Sequence, residues 1–433
     1  MTTHSSSTAQ ITLRSPAELA DALPYLMGFH PDDSIVLVAL QGERGRFGGR
    51  LRLGIPRDRT EWSDVATQLA ECLIEGSERR GARPTGVIAF LCQDVDGAGE
   101  EPRQVMDRLR PLAQRLRMAC GRLEVPVVEA LCISSGRYWS YCCPDITCCP
   151  PDGSPLTPPG TSPMAAAATY AGIQVRGSLR DMEARLAPVS GPPSRVAAQE
   201  KALDAAAAAL VPRILGAADR DAVGKDTLAL AGRLLARLRA APRTGADDAA
   251  PEEDARDDEL VSDEEAAAVV LGLQDRGTRD HAAEWMEGPA AAAALRLWRL
   301  LARRCVGAFT EHAAAPLTLA GWTAWSAGDE AAARVALAAA LRADEEYVFA
   351  RLLHDAVNEG LDPEPLRASL RKQRAGRRRQ ARGRKGRGGE ATRSRRRTGP
   401  GRRPADGGGS GTDTGGGGGR RPVGRGRREG GES

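Results

Sequence analysis

Aromatic side chains are scarce in this 433-residue chain: five Phe, five Tyr and six Trp, or 4% of the total. Any core must therefore be built mainly from Leu, Val, Ile and Ala, with each buried aromatic carrying an unusually large share of the area. Lysine is scarcer still, 4 residues against 57 arginines. With Ala, Gly and Pro also abundant, a GC-rich coding bias accounts for much of that arginine, so arginine content alone identifies no partner. The five histidines, at positions 4, 30, 281, 312 and 354, are scattered, and no clustered general base is visible. The phosphate-binding G-x-x-x-x-G-K-[ST], the dinucleotide G-x-G-x-x-G after a strand, the nucleophile elbow G-x-S-x-G and the zinc-protease H-E-x-x-H are all missing. Those absences lower the odds of a familiar enzyme. No apolar run approaches the roughly 20 residues of a membrane helix. Nothing near the start has the basic, apolar, small-residue order of a secretory signal, so the expected compartment is the cytoplasm. Nine cysteines are then expected to stay reduced, serving as metal ligands or buried thiols rather than disulfides.

The length allows two or three domains and a substantial core. Net charge is +4, but it is unevenly spread. Residues 371–433 hold 21 basic and 5 acidic groups, whereas residues 1–370 hold 40 basic and 52 acidic ones. An acidic body carries a basic tail.

The best-marked core begins at RSPAELADALPYLMGFHPDDSIVLVAL (14–40). Ser15, Pro16 and Glu18 form a helix start of the capping-box type. Leu19, Leu23 and Leu26 repeat at helical spacing, Pro24 predicts a kink, and Gly28 predicts a left-handed stop with Phe29 folding back on the last turn. The unbroken run Ile35–Leu40 then reads as a strand covered on both faces. A glycine loop, GERGRFGG, follows, with Arg44, Arg46 and Arg50 near it, and a second strand near Leu51–Ile55 makes a hairpin. Trp62, Val65, Leu69 and Leu73 mark a helix, Gly86–Cys92 a buried strand, Val105 to Leu116 a helix, and Val125–Ser134 a further strand. The alternation predicts an α/β fold over residues 11–150: a mostly parallel sheet with one hairpin, preceded by a disordered 1–10.

Beyond residue 150 the pattern is helical. A helical segment is expected over 151–241, with its longest helices at 194–218 and 221–240. Residues 242–263 read as an acidic disordered linker, too rich in Asp and Glu to order itself. A second helical region, 264–370, contains Gly321, Gly328, Ala333, Leu337 and Ala340 at tetratricopeptide-like offsets. One such unit cannot bury its own face, so it is expected to stack on 289–306 and 346–358. The Arg/Gly-rich 371–433 is disordered by composition.

Chemistry has three candidate places. In GRYWSYCCPDITCCP (136–150), Cys143, Cys148 and Cys149 are candidate ligands for zinc. The alternative is a proline-bracketed turn with buried thiols, because a second, well-separated cysteine pair is missing. His30, Asp32 and Asp33 lie in one turn beside the central strand, where they serve either a ligand or the turn's own amides. Asp94 and Asp96 follow a buried strand, at the end where α/β sheets bind ligands. Finally, the tail offers Arg377, Arg378, Arg379, Arg395, Arg396 and Arg397 to phosphates. That binding would be salt-sensitive and blind to sequence, since no aromatic is present for base stacking. The acidic linker is a candidate intramolecular competitor for the same arginines.

Three blocks carry a resemblance. LRSPAELADALPYLMGFHPDDSIVLVAL is the first, and RYWSYCCPDITCCPPDGSPL with TSPMAAAA the second. The third is LTLAGWTAWSAGDEAAARVALAAALRADEEYVFARLL, with GLQDRGTRD and LWRLLARR upstream. Together they resemble the actinobacterial domain of unknown function 4192 family over about residues 11–370. The family's cysteine pattern resembles Ser140-Tyr141-x-Cys143 and Cys148-Cys149-Pro150, which makes Cys142 the extra thiol. The resemblance implies no particular activity. The reading that results is a cytoplasmic binding or scaffolding protein, with protein partners for its helical region and nucleic acid or another polyanion for its tail. The alternative is an enzyme or a metal- or ligand-binding α/β domain that uses the strand-end carboxylates and the cysteines.

Overall fold

The computed structural model describes residues 13–97, 99–145, 147, 149–189, 192–216, 219–241, 250–377 and 379. Residues up to Gln373 form one compact unit, in which a sheet layer packs against a helical body. Among the described residues no helix is long and apolar enough to cross a membrane.

Helix α1 (Pro16–Met27) starts as its sequence demands: the Ser15 hydroxyl accepts the Glu18 amide, and Pro16 occupies the first turn. It continues through Pro24 as one helix and ends at Gly28, φ 83°. Only a residue without Cβ is comfortable there, and an added Cβ would lie 2.8 Å from that of Ala331 in the helical body. Phe29 is 4% exposed and belongs to the core of the helical body, against which Met27 of the last turn of α1 also packs.

The six strands are β1 (Ser34–Gln41), β2 (Arg46–Gly54), β3 (Gly86–Cys92), β4 (Val127–Ser134), β5 (Arg137–Ser140) and β6 (Ser154–Pro155), in the order β2-β1-β3-β4-β5-β6. Strand β1 is covered on both sides, as its apolar run requires. Ile35, Leu37 and Ala39 face α2 (Trp62–Arg79) and α3 (Pro102–Arg122), while Val36 and Val38 face α1. The expectation of a mostly parallel sheet is wrong, because only β3 and β4 form a parallel ladder. The crossovers β2–α2–β3 and β3–α3–β4 do run in one direction. Strand β1, however, turns back through its hairpin and inserts antiparallel between β2 and β3. An unbroken apolar run reports cover on two faces and carries no information about direction.

After α4 (Pro163–Tyr170), α5 (Leu179–Ala184), α6 (Pro193–Leu215), α7 (Arg220–Ala240), α8 (Ala250–Glu259), α9 (Asp263–Gly272) and α10 (Arg276–Ala282), the helices α11 (Ala291–Arg303), α12 (Ala314–Ser326), α13 (Glu330–Ala343) and α14 (Val348–Asn358) stack in sequence. All thirteen residues of α12 are buried. A Cβ on Gly321 would meet Leu337 at 2.6 Å, so that glycine sets the close approach of α12 and α13. The repeat-like offsets are therefore spent on packing. Trp298 and Trp322 are the largest fully buried side chains; Trp322 donates to the Ala283 carbonyl at 3.0 Å, and Trp298 stacks on Trp285.

The segment expected to be an unstructured acidic linker is a helix in its described part. Residues 242–249 lie outside the described residues, but α8 (Ala250–Glu259) is ordered against α11. Asp254, Asp257 and Asp258 fall at i, i+3 and i+4, one face of a helix. Arg185, Arg296 and Arg303 each engage one of them through two nitrogens. The Arg303–Asp258 pair spans 2.7 Å with both side chains under a tenth exposed. Arg304 adds the Asp258 carbonyl at 2.6 Å and the Asp263 carboxylate. Acidic composition poor in apolar residues predicted an unstructured segment; the helical spacing of its acids meets Arg296 and Arg303 of α11, and Arg185, instead. These acids are also occupied, which removes them as competitors for the tail. The tail's first residue is engaged too, since Arg371 bonds Glu287 at 2.9 Å and Glu364 at 2.7 Å.

Candidate functional site

The register of the sheet brings three loops to one end. Ser34, the first residue of β1, stands opposite Gly54 at the end of β2 and Cys92 at the end of β3; Ile133, near the end of β4, stands opposite Cys92. The turn before β1 therefore meets the loops after β3 and β4, where strand ends leave backbone groups free for a ligand. A cleft of about 1080 Å³ opens there. Leu23, Pro24 and Tyr25 of α1 form one wall, residues 156–160 another, and the segment 172–177 a third.

His30, Asp32 and Asp94, proposed from two separate stretches of sequence, all line this cleft. Asp33 sits just behind it. With φ 42°, a left-handed conformation that Asp tolerates, it accepts Gln93 Nε2 at 3.2 Å and Arg180 Nη2 at 3.1 Å. Asp32 Oδ2 accepts the Arg180 backbone N–H at 2.9 Å. The pair thus reaches across to another segment rather than capping its own turn. Asp94 Oδ1 accepts the Ser135 amide at 2.6 Å, joining the loops after β3 and β4. Asp96 stays out: its backbone amide bonds Glu100 at 3.1 Å, and its carboxylate does not line the cleft.

The remaining contributors carried no pattern in the sequence. Residues 176–179 lie alongside 28–30 like a short parallel strand: Arg176 N–H to Gly28 carbonyl 2.8 Å, His30 N–H to Gly177 carbonyl 2.9 Å, Leu179 N–H to His30 carbonyl 2.9 Å. Arg176 lines the cleft while its guanidinium holds Asp329, the cap of α13, at 3.2 Å. Gln93 links Asp33 to Arg108, whose guanidinium bonds Glu100, so the cleft floor is braced by a polar chain. Cys92 lines the floor at 3% exposure; burial first, then the neighbouring Cys132, Asp32 and Asp94, push its thiol well above the ordinary value, so it stays neutral. Burial lowers His30, with Asp32 opposing, so the imidazole is largely neutral at pH 7. Arg52, half-buried on β2 opposite Val36, donates to Ser34 Oγ at 2.8 Å.

The cysteine loop lies elsewhere. Ser140 Oγ donates to Glu129 at 2.8 Å and accepts the amides of Cys142 and Cys143 at 3.1 and 3.0 Å, and the Cys149 amide donates to the Asp145 carbonyl at 2.7 Å. Trp139 seals the turn, donating to Pro151 at 3.0 Å and covering Gly153. Cys148 lies outside the described residues, and Cys142, Cys143 and Cys149 do not line the cleft beside His30. Among the described residues no group of three or more His, Cys, Asp or Glu is arranged to hold a metal ion. Of the tail arginines, Arg377 and Arg379 are described, whereas Arg378, Arg395, Arg396 and Arg397 lie outside the described residues.

Compared with known proteins, residues 16–364 match the family described as Domain of unknown function (DUF4192). No curated protein and no solved structure matches the chain.

Proposed function

The chain belongs to this family of unknown function, and from that premise we propose that it is a cytoplasmic binding protein whose sheet-end cleft takes a small organic molecule. One observation carries the reading: Tyr25, His30, Asp32, Cys92, Asp94 and Arg176, drawn from segments up to 151 residues apart in number, converge on a single cleft. Its volume of about 1080 Å³ lies just above the roughly 300–1,000 Å³ typical of ligand pockets, and its lining mixes polar groups with apolar walls. Binding is favoured over catalysis because the group best suited to nucleophilic chemistry is held inactive. The Cys92 thiol is driven towards its neutral form by burial, and the thiolate is the nucleophile. The test is a thermal-shift screen of polar metabolites on the full chain, repeated on Ile173→Trp, which fills the rim at a half-exposed position. A compound that raises Tm only when the rim is open supports the cleft; no such compound in a broad screen removes it.

A second activity is proposed for the tail, supported by the 21 basic against 5 acidic residues of 371–433. It is electrostatic contact with nucleic acid or another polyanion. Affinity should fall linearly in log–log form with salt, with a slope of about −0.7 to −0.9 per phosphate neutralised. It should disappear when residues 374–433 are removed. A gel shift that survives the deletion, or ignores salt, overturns this.

A further inference from the structure

Resting on the cleft reading, we infer that the ligand's head is an organic cation of the amine or amidine class, held by Asp32 and Asp94, with an apolar body lying against Leu23, Pro24, Leu156 and Ile173. Three carboxylates line the cleft: Asp21, Asp32 and Asp94. Asp32 and Asp94 each give one oxygen to a backbone amide, which fixes the carboxylate and leaves the second oxygen without a hydrogen-bond partner among the described residues. They converge on the same floor, since both act electrostatically on the buried Cys92 thiol.

The opposing charges lie mostly outside the cleft lining. Arg176 is engaged by Asp329 and Arg180 by Asp33, while Arg52 donates to the Ser34 hydroxyl, and neither Arg180 nor Arg52 lines the cleft. The ring of His30 adds little positive charge at neutral pH. A carboxylate or phosphate ligand would therefore meet two fixed carboxylates, and among the described residues the one arginine lining the cleft, Arg176, is already held by Asp329; that repulsion sets specificity by excluding the wrong sign. A bare divalent ion is a poor fit, because it requires six or more oxygens in near-regular geometry and the described residues bring no such group together. The cleft is also far larger than an ion needs, and Leu23, Pro24, Ile133, Leu156, Pro158, Pro159 and Ile173 give it apolar wall that an ion does not use.

The experiment compares 4-phenylbutylamine, 4-phenylbutanol and 4-phenylbutyrate, three probes with one apolar body and three head charges, by calorimetric titration on the full chain. The amine is expected to bind about tenfold tighter than the alcohol and the acid weakest of all, a preference that shrinks as salt rises from about 0.05 to 0.5 M. Asp32→Asn and Asp94→Asn keep an acceptor for Arg180 and Ser135, so the loops stay in place; each should weaken the amine about five- to twentyfold and leave the alcohol within about twofold. If the alcohol or acid binds as well as the amine, and Ile173→Trp blocks it, the cation inference falls while the cleft reading stands. If Ile173→Trp affects none of the three, both fall together.

Discussion

At the scale of single residues, much of this molecule turns on places where one atom more would not fit. Gly28 combines a left-handed backbone with a closest approach to α13, so Gly28→Ala carries both strain and a clash. We expect a loss of about 2–4 kcal/mol in urea unfolding, combining the left-handed penalty with overpacking. A change below about 0.5 kcal/mol would show that the junction between the layers is looser than described. Gly28 was legible as a helix stop; its contact with Ala331, three hundred positions later in the chain, was not. The same division holds for the site. His30, Asp32, Asp33 and Asp94 were legible as candidates because turns and strand ends announce themselves locally. Arg176 was not, because the short irregular segment before Ser178 has no period, and only folding lays it against residues 28–30.

At the scale of elements, α8 is the instructive case. Its composition, dominated by Asp and Glu, argues for an unstructured chain, and the helix forms because its acids are paired in register with arginines of α11 and with Arg185. Removing one partner leaves a buried, unneutralised charge. Asp258→Ala should therefore cost about 3–5 kcal/mol, far beyond the effect of removing an exposed ion pair. Calorimetry reads this as a lower Tm, and a Tm unchanged within error would mean that Arg303 finds water instead. The complementary spacing is present in the sequence: acids at 254, 257 and 258, arginines at 296, 299 and 303. What composition cannot say is that the two helices meet. Gly321 makes a second element-level test, since Gly321→Ala drives a methyl into Leu337 and should lose about 1–3 kcal/mol despite the better helix propensity of alanine.

At the scale of the whole molecule, the paired acids set the response to pH. Burial raises the Asp254 carboxyl, but Arg185, Arg303 and Arg299 more than offset it, so the folded group lies below its ordinary value. The folded state then binds fewer protons than the unfolded one, and this contribution is fully present above the unfolded value near 4. It is lost as pH falls through the lower, folded value. Stability measured by denaturant titration should therefore be level with respect to this group above about pH 5 and decline below about pH 4. Asp254→Asn should flatten that decline; an identical acid limb in the variant would remove Asp254 as its source. The chain by itself determined which of its apolar-patterned segments are helix or strand, which strand is covered twice, and where turns expose carboxylates, because these are set by the periodicity of apolar side chains over a few residues. Strand direction, the ordering of α8 and the closing of the cleft by residues 172–177 were decided only in three dimensions. Each depends on a partner far away in the chain, and local physical chemistry holds no record of which partner that will be.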